Sequence, residues 1–291
     1  MHPTAMSNCQ SFFTTYNASL AQHQHVKVVE IGSQNVNGTL RDTCPTNFEY
    51  IGVDFAQAKG VDIVLDDPYK LPFENESVDV ILSSSCFEHS EMFWLVFLEI
   101  LRVLKPNGLF YLNAPSTGGF HRYPVDCWRF YPDSGAALVK WAQRHGSKPV
   151  LLESFTQKAG NWQDYVAVFL KDESCSIQFP KRILDTKIDF ENGQLMSDEK
   201  ILNFTDICQQ ERLLQESEQR SAAKDLIALG QIDDLASKVE ELKKTEMDQL
   251  QANKLAQTVI TDLKMQISQL QASMSWRITA PLRALKKILI K

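Results

Sequence analysis

Three short apolar runs, each closing on an acid, stand within the first seventy residues. Val28-Val29-Glu30 leads into Ile31-Gly32, Tyr50-Ile51-Gly52-Val53 ends at Asp54, and Val61-Asp62-Ile63-Val64-Leu65 ends at Asp66-Asp67. Such β-branched runs, bounded by Gly and polar residues, read as buried parallel strands. The pattern predicts strands over 27–31, 50–54, 62–65, 78–83 and 108–113. Phe93, Val96, Phe97, Ile100, Leu101 and Leu104 recur three and four apart, which predicts a helix over 90–104. Pro106 and Gly108 stop it. A second helix is predicted over 134–144, with Gly146 as its stop. Strands over 150–155 and 165–170, separated by polar residues and Gly160, suit a hairpin. Strands alternating with helices, then a hairpin, describe an α/β sheet, mostly parallel, with one antiparallel strand near its edge.

Beyond this region, 1–172, the pattern changes. Residues 173–210 have weak periodicity and read as a connector. A helical stretch follows over 211–275. There Ile232, Leu235, Val239, Leu242, then Ile260, Leu263, Ile267, Leu270 and Met274 keep one heptad phase. Glu246, Gln249, Asn253 and Ala256 fill the middle of the seam. No Gly or Pro interrupts 231–280, and the flanks are rich in Gln, Lys and Glu. The expectation is a coiled coil whose polar centre fixes register and partner number, making a homo-oligomer; the alternative is one amphipathic helix packed on its own globular domain.

Composition narrows the function classes. The chain has 291 residues, enough for one to two domains, with 44% apolar and 23% charged residues and a net charge of −6. Mild acidity argues against nucleic acid as the main partner. Six scattered cysteines, with no CxxC pair and no His at zinc spacing, fit reduced thiols in a cytosol, and no metal site is expected. The start has no basic end followed by an apolar core, so no signal peptide is read there. The most apolar stretch, 92–104, is interrupted by Glu99 and Arg102 and is too short to span a bilayer. A cytoplasmic protein is expected.

In an open α/β sheet, ligands bind outside the carboxyl ends of the strands. Acids at three successive strand ends are thus expected to face one crevice and a ligand rich in hydroxyls, amines or positive charge.

Four pieces in register carry a family resemblance: Leu71-Pro72-Phe73, Ser77-Val78-Asp79-Val80, Phe87-Glu88-His89 and Leu104-Lys105-Pro106-Asn107-Gly108. Over 26–170 the chain resembles the class I S-adenosylmethionine-dependent methyltransferases of the small-molecule, type 11-like group. The resemblance implies a Rossmann-like sheet and S-adenosyl-L-methionine as cofactor. It sets Gly32 and Glu30 near the methionine end, Asp54 at the ribose hydroxyls, Asp67 or its neighbour Asp66 at the adenine amine, and Ser84 among the cofactor contacts. Gly lets a backbone approach closely, and a carboxylate offers two acceptor oxygens. One departure stands in the loop after Glu30, where Gln34 and Val36 replace expected glycines. Either the loop turns at Asn37-Gly38 instead or cofactor binding is impaired. The GxGxxG run of a dehydrogenase is absent.

The segment His121-Arg122-Tyr123-Pro124-Val125-Asp126-Cys127-Trp128-Arg129 resembles segments of methyltransferases from bacterial surface-polysaccharide gene clusters. Trp128 and Tyr123 suit stacking on sugar faces, and Arg122 and Arg129 suit an anionic group. His121 is the candidate base on a sugar hydroxyl, since imidazole titrates near neutral pH, and His89 competes for that role. The alternative is that Trp128 packs the loop and Arg129 pairs with Asp126. The tail, 276–291, carries five basic residues and no acid from Arg277 onward. Leu282, Leu285, Ile288 and Leu289 share one helical face there, and Arg283, Lys286, Lys287 and Lys291 lie mostly outside it. With Trp276 nearby, this suits peripheral contact with the inner face of an anionic membrane. Its Ser275–Arg283 stretch resembles segments near the ends of bacterial glycan-assembly proteins. Together these lead to a methyltransferase O-methylating a glycan or glycan precursor. Its rivals are a non-catalytic scaffold in glycan assembly, or an enzyme acting on a lipid, quinone or small metabolite.

Overall fold

The computed structural model describes residues 2–158, 162–196, 198–207 and 209–289. Two compact units divide the chain, Met1–Gln209 and Gln210–Lys291. The first is built on a nine-stranded sheet. Strands β1 (Lys27–Ile31), β2 (Glu49–Asp54), β3 (Ile63–Val64), β4 (Val78–Ser84) and β5 (Leu104–Pro115) are parallel, in the order β3-β2-β1-β4-β5. Strands β6 (Val150–Gln157) and β7 (Asp164–Leu170) form an antiparallel pair, with β7 seated against β5. Strands β8 (Phe190–Leu195) and β9 (Asp198–Leu202) continue outward from β6, each antiparallel to its neighbour.

The parallel half lies where the periodicity predicts it, and the sheet extends further than predicted on its antiparallel side. The antiparallel strand expected near the edge lies in the interior, because the supposed connector supplies β8 and β9 beyond it. Phe179, Ile183 and Leu184 of that segment are buried in the core, as is Phe190. Its periodicity is weak because the strands are short and their pairing shifts register. Pro106 and Gly108, expected to form a turn, lie in the irregular first part of β5, where the pairing with β4 skips.

Three helices cover the sheet. Helix α1 (Pro3–Leu20) has no counterpart in the sequence reading. It buries Ala5, Cys9, Phe12, Phe13, Tyr16 and Leu20 on one stripe. That stripe packs on Val28, Val80, Leu82, Leu109, Tyr111 and Val168, one face of the sheet. Helices α2 (Phe93–Val103) and α3 (Ser134–Arg144) bury Phe97, Ile100, Leu138 and Ala142 with Val29, Ile81, Phe110 and Phe169, from the opposite face. Helix α2 begins later than expected because the Ser90 carbonyl accepts a hydrogen bond from Trp128 Nε1 at 2.9 Å. The buried carboxylate of Glu153 on β6 accepts from Tyr16 Oη (2.5 Å), Ile183 N (2.8 Å) and Leu184 N (3.0 Å). These donors offset its desolvation and tie α1 and the 179–185 segment to the sheet.

The second unit holds α4 (Gln209–Ala272), a helix of 64 residues, then α5 (Met274–Ile278) and α6 (Ala280–Leu289). The helical stretch expected over 211–275 is α4 as far as Ala272. Ser273 Oγ donates to the Leu270 carbonyl at 2.7 Å and accepts from Trp276 N at 3.3 Å, which closes one helix and caps the next. The apolar seam residues of α4 and α5 are 45% to 79% exposed. The chain by itself shows one long helix with a bare seam, not a coiled coil. In the tail, the Arg283 guanidinium stacks on Trp276, 3.8 Å from the ring centroid. The tail side chains Leu285, Lys286, Lys287, Ile288 and Leu289, and all of Lys291, lie outside the described ones, as do Gly160 and Cys208. No helix among the described residues is long and apolar enough to cross a membrane.

Candidate functional site

The chain builds β1, β2 and β3 outward in one direction and then returns to lay β4 on the other side of β1. Open α/β sheets bind ligands at such a reversal. A cavity of ≈ 920 Å³ lies there, and Ile31, Gly32, Asp54, Leu65, Asp66 and Ser84 line it from the carboxyl ends of four parallel strands. That volume is in the range of small-molecule sites.

Gly32 shapes the floor. Its φ is +81°, and a Cβ there would lie 2.7 Å from the Cβ and 2.8 Å from the Sγ of Cys86. Asp54 is 6% exposed, and its Oδ1 accepts from Gln34 Nε2 (3.2 Å) and Ala56 N (3.3 Å). Asp66 lines the cavity; Asp67 does not, and its carboxylate instead accepts from Tyr69 N at 2.9 Å. Glu30 also lies outside the lining. Strand alternation turns it with Val28 toward α1, away from Val29 and Ile31. It is 1% exposed and accepts from Tyr50 Oη at 2.6 Å, and burial pushes its carboxyl up to about 7. The three strand-end acids therefore do not all face one crevice.

The loop after β1 turns at 35–38, where Asn35 Oδ1 accepts from Gly38 N at 3.0 Å and Gly38 has φ +128°. Gln34, which stands where a glycine was expected, points its amide at Asp54 and accepts from Tyr123 Oη at 3.1 Å. It joins the strand-end acid to the far wall.

That wall is the 121–130 segment. Cys127 N donates to the Glu88 carbonyl (2.8 Å), Phe130 N to the Pro115 carbonyl (2.9 Å) and Ser116 Oγ to the Phe130 carbonyl (2.7 Å). Arg129 grips Asp126 with two nitrogens, at 2.6 and 2.9 Å, and holds its carboxyl far below the usual range. His121, Arg122 and Tyr123 line the cavity. Trp128 and Arg129 lie outside the lining. Trp128 packs edge-on against Phe93 and Trp94 of α2, with centroids 5.5 and 5.7 Å away.

Glu88 and His89 follow β4 in a 3₁₀ turn, Phe87–His89. The His89 and His121 rings meet edge to face, with centroids 4.9 Å apart. His89 Nδ1 is bonded to the Val125 carbonyl, and burial lowers the imidazole pKa, so the ring favours its neutral form. Glu88 is 1% exposed, and burial pushes its carboxyl up to about 8. Donor atoms of Glu88, His89 and His121 lie within 4.8 Å of one another. Sequence spacing does not reveal this group, because His121 joins it only through the fold. Ser85, with φ +50°, and Cys86 also line the cavity unanticipated, since nothing in their residue types marks them.

Residues 21–112 match a family model described as a methyltransferase domain. An uncharacterized methyltransferase of Mycobacterium avium is 36% identical over 77 residues, 26% of this chain and 30% of that protein. The phthiotriol/phenolphthiotriol dimycocerosates methyltransferase of Mycobacterium tuberculosis is 37% identical over 75 residues, 21% of this chain and 27% of that protein. The chain thus spans under a third of the length of these curated relatives. Among solved structures, the Burkholderia thailandensis 1,6-didemethyltoxoflavin-N1-methyltransferase, with bound 1,6-didemethyltoxoflavin and S-adenosylhomocysteine, is 14% identical. It has a TM-score of 0.43, covering 58% of this chain and 79% of that one. The family match falls on β1 to β4 and most of β5, the strands that build the cavity, so residues 21–112 are similar to a methyltransferase domain.

Proposed function

We propose that the protein is an S-adenosyl-L-methionine-dependent methyltransferase that O-methylates a glycan or glycan precursor in cell-surface polysaccharide biosynthesis. The observation that carries the cofactor is the pairing of Asp54 and Asp66 at consecutive strand ends, over a cavity whose floor admits only glycine at position 32. The donor set fits: Asp54 offers two oxygens for a ribose diol, Asp66 an acceptor for an exocyclic amine, and the bare Gly32 backbone room for a methionine chain.

S-adenosyl-L-methionine supplies an electrophilic methyl on a sulfonium sulfur. The protein's task is to align an acceptor oxygen with that carbon and to take up a proton. In the balanced reaction the acceptor O–H breaks, a C–O bond forms, the C–S bond electrons stay on sulfur, and the proton goes to a base. His121 is the proposed base: its Nδ1 faces the Gly119 carbonyl (3.2 Å) and Asp126 (3.4 Å), which leaves Nε2 to accept. Arg122 and Tyr123, beside it in the lining, supply a cation and a stacking ring for a sugar bearing an anionic group.

The second unit supports assembly. A seam keeping one heptad phase across α4 into α5, exposed throughout, fits a homo-oligomeric coiled coil. The basic tail with Trp276 fits a membrane surface.

A second reading, methylation of a lipid, is favoured by the dimycocerosate substrate that the mycobacterial relative is named for and by the apolar part of the lining: Val36, Phe55, Leu65, Phe87 and Val96. The separating experiment incubates full-length protein with methyl-labelled cofactor and cell-envelope extract, then partitions the products. Label in the polysaccharide fraction supports the first reading. Label confined to the organic phase replaces it with the second, and label in neither contradicts both.

A further inference from the structure

We infer that Glu88, His89 and His121 form a binding site for one divalent transition-metal ion at the mouth of the cavity. Two imidazoles and one carboxylate are the donors such ions take, whereas magnesium and calcium prefer all-oxygen sets. His89 and His121 line the cavity, and Glu88 is buried behind them.

The ring nitrogens are arranged as a metal site requires. His89 Nδ1 is held by the Val125 carbonyl, and its Nε2 stands 3.8 Å from Glu88 Oε1. His121 Nδ1 faces the Gly119 carbonyl and the Asp126 carboxylate, which Arg129 fixes in place. A carbonyl or carboxylate on one ring nitrogen is the usual outer partner of a metal-bound histidine, since it sets the tautomer and aims the other nitrogen. Both histidines thus have Nδ1 engaged, which leaves Nε2 as the nitrogen available to an ion.

Glu88 supplies an independent observation. Its Oε2 is buried and has no hydrogen-bond partner among the described residues. A carboxylate oxygen left so is costly unless something satisfies it, and a cation does. The donor spread of 4.8 Å must contract by about 1.2–1.5 Å to reach the spacing of tetrahedral ligands with bonds of roughly 2.0–2.2 Å. Small rotations of three side chains provide that.

Three protein ligands leave open positions, and two of these three residues line the cavity. Resting on the methyltransferase reading, an ion here would bind the acceptor hydroxyl, acidify it, and convert His121 from base to ligand, with the proton released to solvent.

The test uses full-length protein freed of metal and titrated with Co²⁺, followed by its visible absorption and by calorimetry. One ion per chain is expected, with affinity falling at least tenfold in His121→Ala and Glu88→Gln and unchanged in His145→Ala. S-adenosylhomocysteine binding, measured on the same samples, reports both the fold and the methyltransferase reading, so either claim can fail alone. No Co²⁺ binding by protein that still binds S-adenosylhomocysteine overturns the site. So does Co²⁺ binding that His121→Ala leaves unchanged, or a thiolate charge-transfer band assigning the ion to Cys86.

Discussion

At Gly32 the need for a residue with no side chain follows from two facts at once. The backbone is left-handed there, and Cys86 stands where a Cβ would go. Gly32→Ala is expected to cost about 1–2 kcal/mol in backbone strain alone and to weaken S-adenosylhomocysteine binding about tenfold or more. Thermal melts and calorimetry on one preparation check both. Glu30 calls for a different test, because its carboxyl titrates near 4.5 when unfolded and about 7 when buried. The folded state then holds the proton more tightly, so this group's contribution to stability is present below about 4.5 and lost as pH rises toward about 7. Glu30→Gln should flatten that decline, worth on the order of 3 kcal/mol, in denaturant melts across the window. A decline of equal slope in the variant would assign it to other groups. Asp54 was legible in the sequence because its position at a strand end follows from the strand's own pattern. The side to which Glu30 turns was not, because facing depends on which layer covers each side of the sheet, and α1 had not been recognised. Gln34 read as a missing glycine; its bridge between Asp54 and Tyr123 needs two chain segments that only the fold brings together.

The elements divide in the same way. The parallel strands and α2 were readable from local periodicity, and α3 matched its expected span, 134–144. Helix α1 escaped because its stripe is interrupted by polar residues, among them Asn8, which is buried and donates to Asn113 at 3.2 Å. Strands β8 and β9 escaped because three of the six β8 positions and all five of β9 stay partly or fully exposed, so no alternation stands out. Helix α1 nonetheless supplies five of the buried side chains on one face of the core: Cys9, Phe12, Phe13, Tyr16 and Leu20. Phe12 is fully buried against Tyr16 and Tyr111, with centroids 5.2 and 5.1 Å away. Phe12→Ala is expected to destabilise the first unit by about 3–5 kcal/mol. A loss under about 1 kcal/mol would mean that α1 is dispensable to the fold.

On the scale of the whole molecule, a unit similar to a methyltransferase domain is followed by a long helix with no buried side chain among its described residues. Isolated helices owe little stability to propensity, and an apolar seam with a seven-residue repeat finds its partner by supercoiling. The full chain is expected to be an oligomer by light scattering, and Ile260→Lys with Ile267→Lys to make it monomeric. A wild-type monomer at micromolar concentration would contradict the assembly. The central claim, that the strand-end cavity holds S-adenosyl-L-methionine through Asp54, is tested most directly by calorimetric titration with S-adenosylhomocysteine. Wild-type protein should bind one molecule per chain, and Asp54→Ala, with its melting curve preserved, should bind at least tenfold more weakly. Equal binding by the two proteins, or none by the wild type, would contradict it.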